Sequence, residues 1–210
     1  MRQELHDERR ASILTAARAV FFAKGFARTR IVEVSRSARV ANSTLYSYFE
    51  TKLELFEAVV AGALAPYRGL FDEIAHLRAD PTEALGAWTR AYFRFQSDPQ
   101  VRGLYRLITA EQQANPELGE HIYTQCRDLI GAVLRGLLQN YTDEGRLRIP
   151  SPAMASRLLE GMVEHAALTI AMFQGDDAPP MHPAEEYCAE VVRVFLAGYS
   201  ATPDISASSG

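Results

Sequence analysis

The chain of 210 residues is 48% hydrophobic and 23% charged, which is typical of a globular protein with one large core or two smaller ones. No apolar run approaches the roughly 18 residues of a membrane span, and the start lacks the apolar core of a signal peptide, so we expect a cytoplasmic protein without membrane contact. Cys126 and Cys188 match no metal or redox spacing, which favours buried or idle reduced thiols over a thiol function.

Charge is unevenly distributed along the chain. The net charge of −4 by itself argues against nucleic acid binding, but the first 53 residues hold 10 Lys and Arg against 5 Asp and Glu, whereas the remainder holds 12 against 21. A basic N-terminal segment joined to an acidic body is typical of a DNA-binding domain fused to a domain of another kind.

Apolar residues recur at helical spacing, and no segment alternates with period two over the length of a strand, so the predicted fold class is all-α with nine helices. Four of the helix starts are marked by a capping residue followed by proline, at Asp80, Asp98, Asn115 and Ser151. The predicted helices cover residues 8–24, 30–37, 42–49, 52–77, 81–96, 99–114, 116–141, 152–174 and 183–199.

Local signals predict how the first four helices begin and end. Gly25 is expected to stop helix 1 in a left-handed conformation, with Phe26 packing back, and Thr29 is expected to cap helix 2. Thr51 and Glu54 form a capping box at the start of helix 4. Pro66 interrupts that helix and is expected to bend it, because proline removes a backbone hydrogen bond.

Helix 3 has the pattern of a DNA-reading helix. Leu45 and Phe49 lie four residues apart on one face and are expected to anchor the helix to a core, which leaves hydroxyl and phenol groups on its other faces. Such groups suit phosphate oxygens and base edges, and one-sided anchoring places the second helix of a helix-turn-helix in the major groove.

Over residues 9–56 the order of features resembles the TetR family of bacterial one-component transcription regulators. The chain departs from the family pattern where Arg39 replaces the turn glycine and Ala41 replaces the usual serine cap, which Asn42 is expected to take over; Val34-Ser35 replaces Ile-Ala. Residues 105–111, 115–119 and 145–148 resemble the effector domain of AefR-like members. The residues that carry the N-terminal resemblance are Ile13, Leu14, Ala16, Ala17, Phe21, Gly25, Phe26, Thr29, Val34, Ala38, Val40, Thr44, Leu45, Tyr46, Tyr48, Phe49, Lys52 and Leu55.

The resemblance implies a double-stranded DNA operator as partner. For Tyr46 the alternatives are a half-buried aromatic residue and a phenol that donates to phosphate, and the family position implies the second. Lys52 lies in a first helical turn, where positive charge opposes the helix dipole, and a phosphate contact would explain it. The candidate DNA-binding residues are Thr29, Arg39, Asn42, Ser43, Thr44, Tyr46, Tyr48 and Lys52.

In the acidic body, apolar and polar side chains mix at inward-facing helical positions. Most are expected to be core, but a minority could line a cavity for a small organic effector, because buried Tyr, Gln and His need partners. His165 near Glu160 and Glu164 lacks a third ligand at useful spacing, so no metal is expected. No catalytic motif or cofactor motif is present, so neither an enzyme nor a cofactor is predicted. The candidate ligand-binding residues are Trp88, Tyr92, Tyr105, Ile108, Gln112, Tyr123, Met162 and His165.

The last two helices carry more apolar residues than one inward face needs, which predicts a homodimer with two DNA-reading heads for a palindromic site. The predicted domains are a helix-turn-helix domain over 1–51, a ligand-binding and dimerisation domain over 52–200, and a disordered tail over 201–210. We therefore expect a ligand-responsive repressor; the alternative is a helical interaction or enzymatic protein with non-specific or vestigial nucleic acid binding. The candidate interface residues are Leu159, Met162, Ala166, Ile170, Phe173, Val191 and Phe195.

Overall fold

The computed structural model describes residues 2–77, 79–177 and 182–200. Within these ranges the chain forms nine continuous helices and no strand, with one isolated bridge between Leu147 and Ser200, which confirms the predicted all-α class. The helices are α1 (Arg2–Lys24), α2 (Ile31–Ser37), α3 (Asn42–Tyr48), α4 (Lys52–Ala75), α5 (Pro81–Ser97), α6 (Pro99–Glu111), α7 (Pro116–Cys126, continuing through Arg127–Gly131 to Ala132–Asp143), α8 (Pro152–Glu164, continuing through His165–Thr169 to Ile170–Gln174) and α9 (Ala184–Tyr199).

Two helix ends differ from the prediction by three residues or more, and the other ends agree within two residues. α1 begins at Arg2 rather than at residue 8, because its first residues include good helix formers such as Glu4 and Leu5. α6 ends at Glu111 rather than at residue 114, where the N–H groups of Ala114 and Asn115 both donate to the Glu111 carbonyl and close a turn. The predicted tail over 201–210 and residues 178–181, between the last two predicted helices, lie outside the described residues.

The predicted helix signals are confirmed at four places. Gly25 has a φ of 84° and its N–H donates to the Phe21 carbonyl at 2.8 Å, which ends α1. The Thr51 hydroxyl accepts the Glu54 N–H at 3.0 Å, and Asp80 accepts the N–H groups of residues 82 and 83 at 2.7 and 3.0 Å. The Ser151 hydroxyl accepts the Met154 N–H at 3.3 Å.

Packing divides the chain into two compact units. The first comprises residues up to Pro66 together with Pro99–Gln125, and the second comprises Tyr67–Asp98 and the chain from Cys126 onward. The boundary inside α4 falls directly after Pro66, and the helix continues through this proline to Ala75. The predicted bend and the predicted domain boundary at residue 52 stay predictions.

Each unit has an apolar core of its own. In the first unit the ring of Phe56 lies edge-on to Phe21 and Phe26, with ring centroids 5.2 Å apart in both pairs. In the second unit, the fully buried Trp88 stacks on Tyr92 at 4.7 Å, and α5 packs against α8 and α9. Among the described residues no helix is both long and apolar enough to cross a membrane.

Two helices contain a π-helical turn, and both turns lie in the second unit. One lies in α7 at Arg127–Gly131 and the other lies in α8 at His165–Thr169. A π-helical turn places one extra residue in the helix and is frequent at functional sites. The sequence carried no signal for either turn, because the apolar periodicity on both sides is that of an ordinary α-helix.

Candidate DNA-binding interface and effector region

Helix α3 is anchored on one face. Leu45 is fully buried and Phe49, which follows the helix, is 2% exposed, as the sequence predicts. The N-cap is Ala41, and no side chain caps the helix, so the expectation that Asn42 takes over the cap is wrong. Asn42 is instead the first helical residue, and its side chain is exposed.

The opposite faces of α3 present polar groups to solvent. Asn42 and Ser43 are exposed, and Tyr46 keeps 52% of its surface accessible. Thr44 is half-buried. Tyr48 is also half-buried, because its ring packs on His6 with centroids 4.5 Å apart and its hydroxyl donates to the His6 carbonyl at 3.4 Å. The exposed set supplies donors and acceptors suited to phosphates and base edges.

The turn before α3 uses an unusual residue. Arg39 has a φ of 56°, in the left-handed region that favours glycine. The Val40 N–H donates to the Ser35 carbonyl at 3.0 Å, and this closing bond of a helix C-terminus requires the left-handed residue. The Arg39 side chain is exposed beside α3, as a DNA contact would need.

Thr29 does not cap α2, so this prediction is wrong. The N-cap is Arg30, and the Glu33 carboxylate accepts the Arg30 N–H at 3.2 Å. Thr29 is 2% exposed, and its hydroxyl donates to the Gly25 carbonyl at 2.7 Å. The hydroxyl is thus used inside the loop between α1 and α2.

Lys52 is half-buried rather than exposed. Its ammonium group donates to the carbonyls of Phe26, Ala27 and Thr29 at 2.9, 3.2 and 3.3 Å, and it lies 4.5 Å from the centroid of the Phe26 ring. The lysine therefore holds the α1–α2 loop in addition to any contact with phosphate. Sequence reasoning missed this role because the carbonyl groups come from a loop 23 to 26 residues away.

The candidate effector residues are divided between the two units. In the first unit, Tyr105 and Ile108 are half-buried, whereas Gln112 and Tyr123 are exposed.

In the second unit, Trp88 and Tyr92 are buried, Met162 is half-buried and His165 is exposed. The Trp88 indole donates to the Ile130 carbonyl, in the π-helical turn of α7, at 3.4 Å.

Tyr92 has polar partners on α5 and α8, and among them the sequence did not single out Gln96. The Tyr92 hydroxyl donates to the Glu164 carboxylate, and the Gln96 amide donates to that hydroxyl at 2.9 Å and to Glu164 at 3.3 Å. Glu160 lies one turn before Glu164 on α8, and burial raises the pKa of its carboxyl group. The Oε2 atom of Glu160 accepts a hydrogen bond from the Arg157 guanidinium at 3.1 Å. In the described part of the chain, the buried Thr89 hydroxyl and the Oε1 atom of Glu160 have no hydrogen-bond partner.

No group of three His, Cys, Asp or Glu residues that could hold a metal ion occurs among the described residues.

The predicted interface residues separate into core and surface. Leu159, Val191 and Phe195 are at most 4% exposed and lie in the core of the protomer, so their side chains offer no surface to a second copy. Met162, Ala166 and Ile170 are half-buried, and Phe173 is 88% exposed.

Other apolar residues of the same helices are exposed. Met154 and Leu158 of α8 keep 62% and 51% of their surface accessible, and Val194 of α9 keeps 44%. Gly161 lies three residues after Leu158 and Gly198 lies four residues after Val194, so each glycine shares a helix face with an exposed apolar residue, and a Cβ added at either glycine would meet no atom within 4 Å. We name Met154, Leu158, Gly161, Val194 and Gly198 the α8–α9 face.

A three-helix head with one buried and one polar face on its third helix is typical of helix-turn-helix DNA-binding domains. Residues 13–59 match the family model described as bacterial regulatory proteins, tetR family, and residues 83–201 match the AefR-like transcriptional repressor C-terminal domain. The second match alone covers more than half of the chain. The protein therefore belongs to the TetR family of DNA-binding transcription regulators, with an AefR-like C-terminal domain. Regulators of this family are typically not enzymes, bind operators and small-molecule effectors, and are typically dimers.

Named relatives include both an activator and a repressor. The chain is 33% identical over 103 residues to the transcriptional activator FasR of Mycolicibacterium smegmatis, a match that covers 49% of this chain and only 46% of FasR. It is 26% identical over 161 residues to the transcriptional repressor BepR of Brucella suis biovar 1, a match that covers 74% of this chain and 77% of BepR. The crystal structure of a TetR-family regulator from Mesorhizobium loti superposes on this chain with a TM-score of 0.76 at 25% sequence identity. The superposition covers 92% of this chain and 98% of the other.

Proposed function

We propose that this protein is a homodimeric repressor that occupies a palindromic operator and leaves it when a small organic molecule binds the C-terminal domain. The observation that carries the proposal is the one-sided burial of α3, with Leu45 and Phe49 inside and Tyr46 outside. Since its partner would be the bacterial chromosome, the proposed place of action is the cytoplasm. No catalytic activity is proposed.

For direct contacts with DNA we propose the exposed residues Arg39, Asn42, Ser43 and Tyr46. The half-buried Thr44 and Tyr48 are proposed to contact phosphates at the edge of the helix. Thr29 and Lys52 stay in the proposed site, where both support the loop in front of α2 and the ammonium of Lys52 adds positive charge near the phosphates.

For the dimer we propose the α8–α9 face. Exposed apolar side chains gain free energy when a partner covers them, and glycines without neighbours allow two helices to approach closely. A glycine inside a helix costs about 1 kcal/mol relative to alanine, so an exposed glycine beside an exposed apolar residue in each of the two helices favours a packing role. A two-fold dimer presents two copies of α3 to the two halves of a palindrome.

For the effector we propose a partly apolar organic molecule bound in the second unit by residues of α5 and α8. In the second unit the buried Thr89 hydroxyl and the Glu160 carboxyl give such a molecule polar groups to bind. Trp88 is proposed only as a wall of this region, because its indole already donates to a backbone carbonyl.

The experiment is a binding measurement with duplex DNA from the region flanking the protein's own coding sequence, at physiological salt, against a shuffled duplex of equal length. The proposal expects the flanking DNA to be preferred by at least ~10³ and expects one class of compound to abolish that preference. Equal affinity for both duplexes over a range of salt concentrations would support the alternative, an interaction or enzymatic protein that binds nucleic acid without sequence preference.

A further inference from the structure

The carboxylate of Glu111, the last residue of α6, holds the loop between α1 and α2. Glu111 is 8% exposed. Its Oε1 accepts the backbone N–H of Ala27 at 3.0 Å, and its Oε2 accepts the side-chain amide of Asn115 at 2.9 Å. Burial of a carboxylate is costly unless both oxygens are hydrogen-bonded, so the loop N–H is part of what keeps this group in place.

The same loop is also held by a positive charge. Lys52 donates to the Ala27 carbonyl at 3.2 Å, while Glu111 accepts the N–H of the same residue. Gly25 completes the fit, because a Cβ added there would lie 2.8 Å from the Glu111 Oε1. We name the contacts of Ala27 with Glu111 and Lys52 the loop clasp.

Other contacts show that α6 follows α1 up to the loop clasp. Arg18 of α1 donates to the Gln100 side chain, and the ring of Phe22 lies so close to Gly103 that a Cβ there would meet it at 2.7 Å. Gln100, Gly103 and Glu111 are spaced by three and eight residues, which places them on one face of α6.

We propose that Glu111 is a positioning residue for DNA recognition: it fixes the α1–α2 loop, and with it the start of α2, from within the effector part of the chain. Ala27 belongs to the segment that matches the DNA-binding family model, and Glu111 belongs to the segment that matches the AefR-like domain. The proposal rests on the proposed function and deepens it, because a shift of the end of α6 would withdraw the acceptor from Ala27 and free the loop.

The test compares the DNA affinities of variants. The DNA is the duplex that the parent protein binds most tightly among those it selects from a random-sequence library. Glu111→Ala removes the acceptor, Glu111→Asp keeps the charge but is too short to reach Ala27, and Glu111→Gln keeps an acceptor oxygen. We expect the first two to bind the selected duplex about tenfold more weakly and Glu111→Gln to stay within about threefold of the parent. Glu120→Ala, at an exposed glutamate of α7, is the matched control for the lost charge and should bind like the parent.

Two further measurements separate positioning from general loss of structure. Binding to mixed genomic DNA at low salt should be unchanged in all variants, and hydrogen exchange of the Ala27 amide, followed by NMR, should be faster only in Glu111→Ala and Glu111→Asp. The proposal is overturned if these two variants hold the selected duplex as tightly as the parent, if Glu111→Gln loses as much as Glu111→Ala, or if Ala27 exchange does not change. A parent that selects no duplex at all would refute the proposed function itself, whatever the exchange of Ala27.

Discussion

At the scale of single residues, Arg39 is the clearest conflict between side chain and backbone. An L-residue in the left-handed region costs about 1–2 kcal/mol, whereas the extra entropy of glycine in the unfolded chain costs only about 0.5–1 kcal/mol. Arg39→Gly should therefore raise the free energy of unfolding by about 0.5–1 kcal/mol, measured by urea denaturation.

The matched control for this prediction is Arg36→Gly. Arg36 is an exposed arginine of the same helix-turn-helix, but it lies inside α2, where glycine costs about 1 kcal/mol. Both variants lose one positive charge, so opposite signs of the two stability changes isolate the backbone effect. Equal changes would mean that the turn does not strain Arg39.

The sequence identified Arg39 as a departure from the family pattern, but its φ angle came only from the structure. Whether a residue's role could be predicted depends on how far along the chain its partners lie. Gly25 and the caps at Thr51, Asp80 and Ser151 depend on neighbours within four residues, so their roles were predictable. Lys52 and Glu111 bond to groups more than 20 residues away, and local pattern carries no information about such partners.

Buried ionisable groups predict an alkaline limit of stability. Burial raises the pKa of Cys126 and of Cys188 to about 11 each, and burial together with the Asp98 carboxylate raises the pKa of Tyr67 to about 12. The unfolded chain loses these protons near pH 8.5 to 10, so between about pH 9 and 11 the folded state holds more protons and stability falls as pH rises. Melting temperatures from pH 7 to 11 should show this fall, and a Cys126→Ala, Cys188→Ala double variant should show less of it. An equal slope in the double variant would exclude the thiols as a cause.

At the scale of elements, α3 combines a buried anchor with an exposed reading face. Tyr46→Phe removes one hydroxyl from a side chain that is 52% exposed, so the free energy of unfolding should stay within about 0.5 kcal/mol of the parent. Affinity for the operator should fall several-fold if the phenol donates to phosphate, since such a bond is worth about 1 kcal/mol or more. Electrophoretic mobility shifts with the operator duplex measure this fall.

Tyr123→Phe provides the control, because Tyr123 is 54% exposed in α7 and loses the same hydroxyl. It should bind the operator like the parent. Equal losses in the two variants would show that the effect is not specific to α3.

Anchoring of α3 was predictable because burial follows the helical period of Leu45 and Phe49. The start of α2 was not predictable, because threonine and arginine can both precede a helix. Glu33 fixes Arg30 as the N-cap, since its carboxylate accepts the Arg30 N–H and also accepts a hydrogen bond from Lys24 at 2.6 Å. Thr29 then lies one residue too early to cap and is buried in the loop.

At the scale of the whole molecule, the α8–α9 face predicts the assembly. Leu158→Glu places a charge on this face without entering the core, so the protein should remain folded but become monomeric at micromolar concentration. Sedimentation velocity and circular dichroism check the two parts of this expectation. Leu5→Glu, at a similarly exposed leucine of α1, should leave the dimer intact. A Leu158→Glu dimer as stable as the parent would place the interface elsewhere.

Pro66 marks the place where α4 passes from one compact unit to the other. If bending at this proline transmits the effector signal, Pro66→Ala should change the ratio of operator affinities with and without effector more than it changes the affinity of the free protein. Fluorescence anisotropy with a compound that releases the parent measures this ratio. Equal ratios in parent and variant would remove the proline from the mechanism.

The π-helical turn at His165–Thr169 acts on α8 like the insertion of one residue. Each residue of an α-helix turns the chain by about 100°, so the last turn of α8 is rotated by about that amount from where an uninterrupted helix would carry it. Leu159 and Phe173 are 14 residues apart and would point in nearly the same direction in a regular helix, yet the first is fully buried and the second is 88% exposed. The face of α8 that is buried at Leu159 is therefore exposed at Phe173. Substitutions at Phe173 can change the surface that the protomer presents to binding partners without disturbing the packing around Leu159.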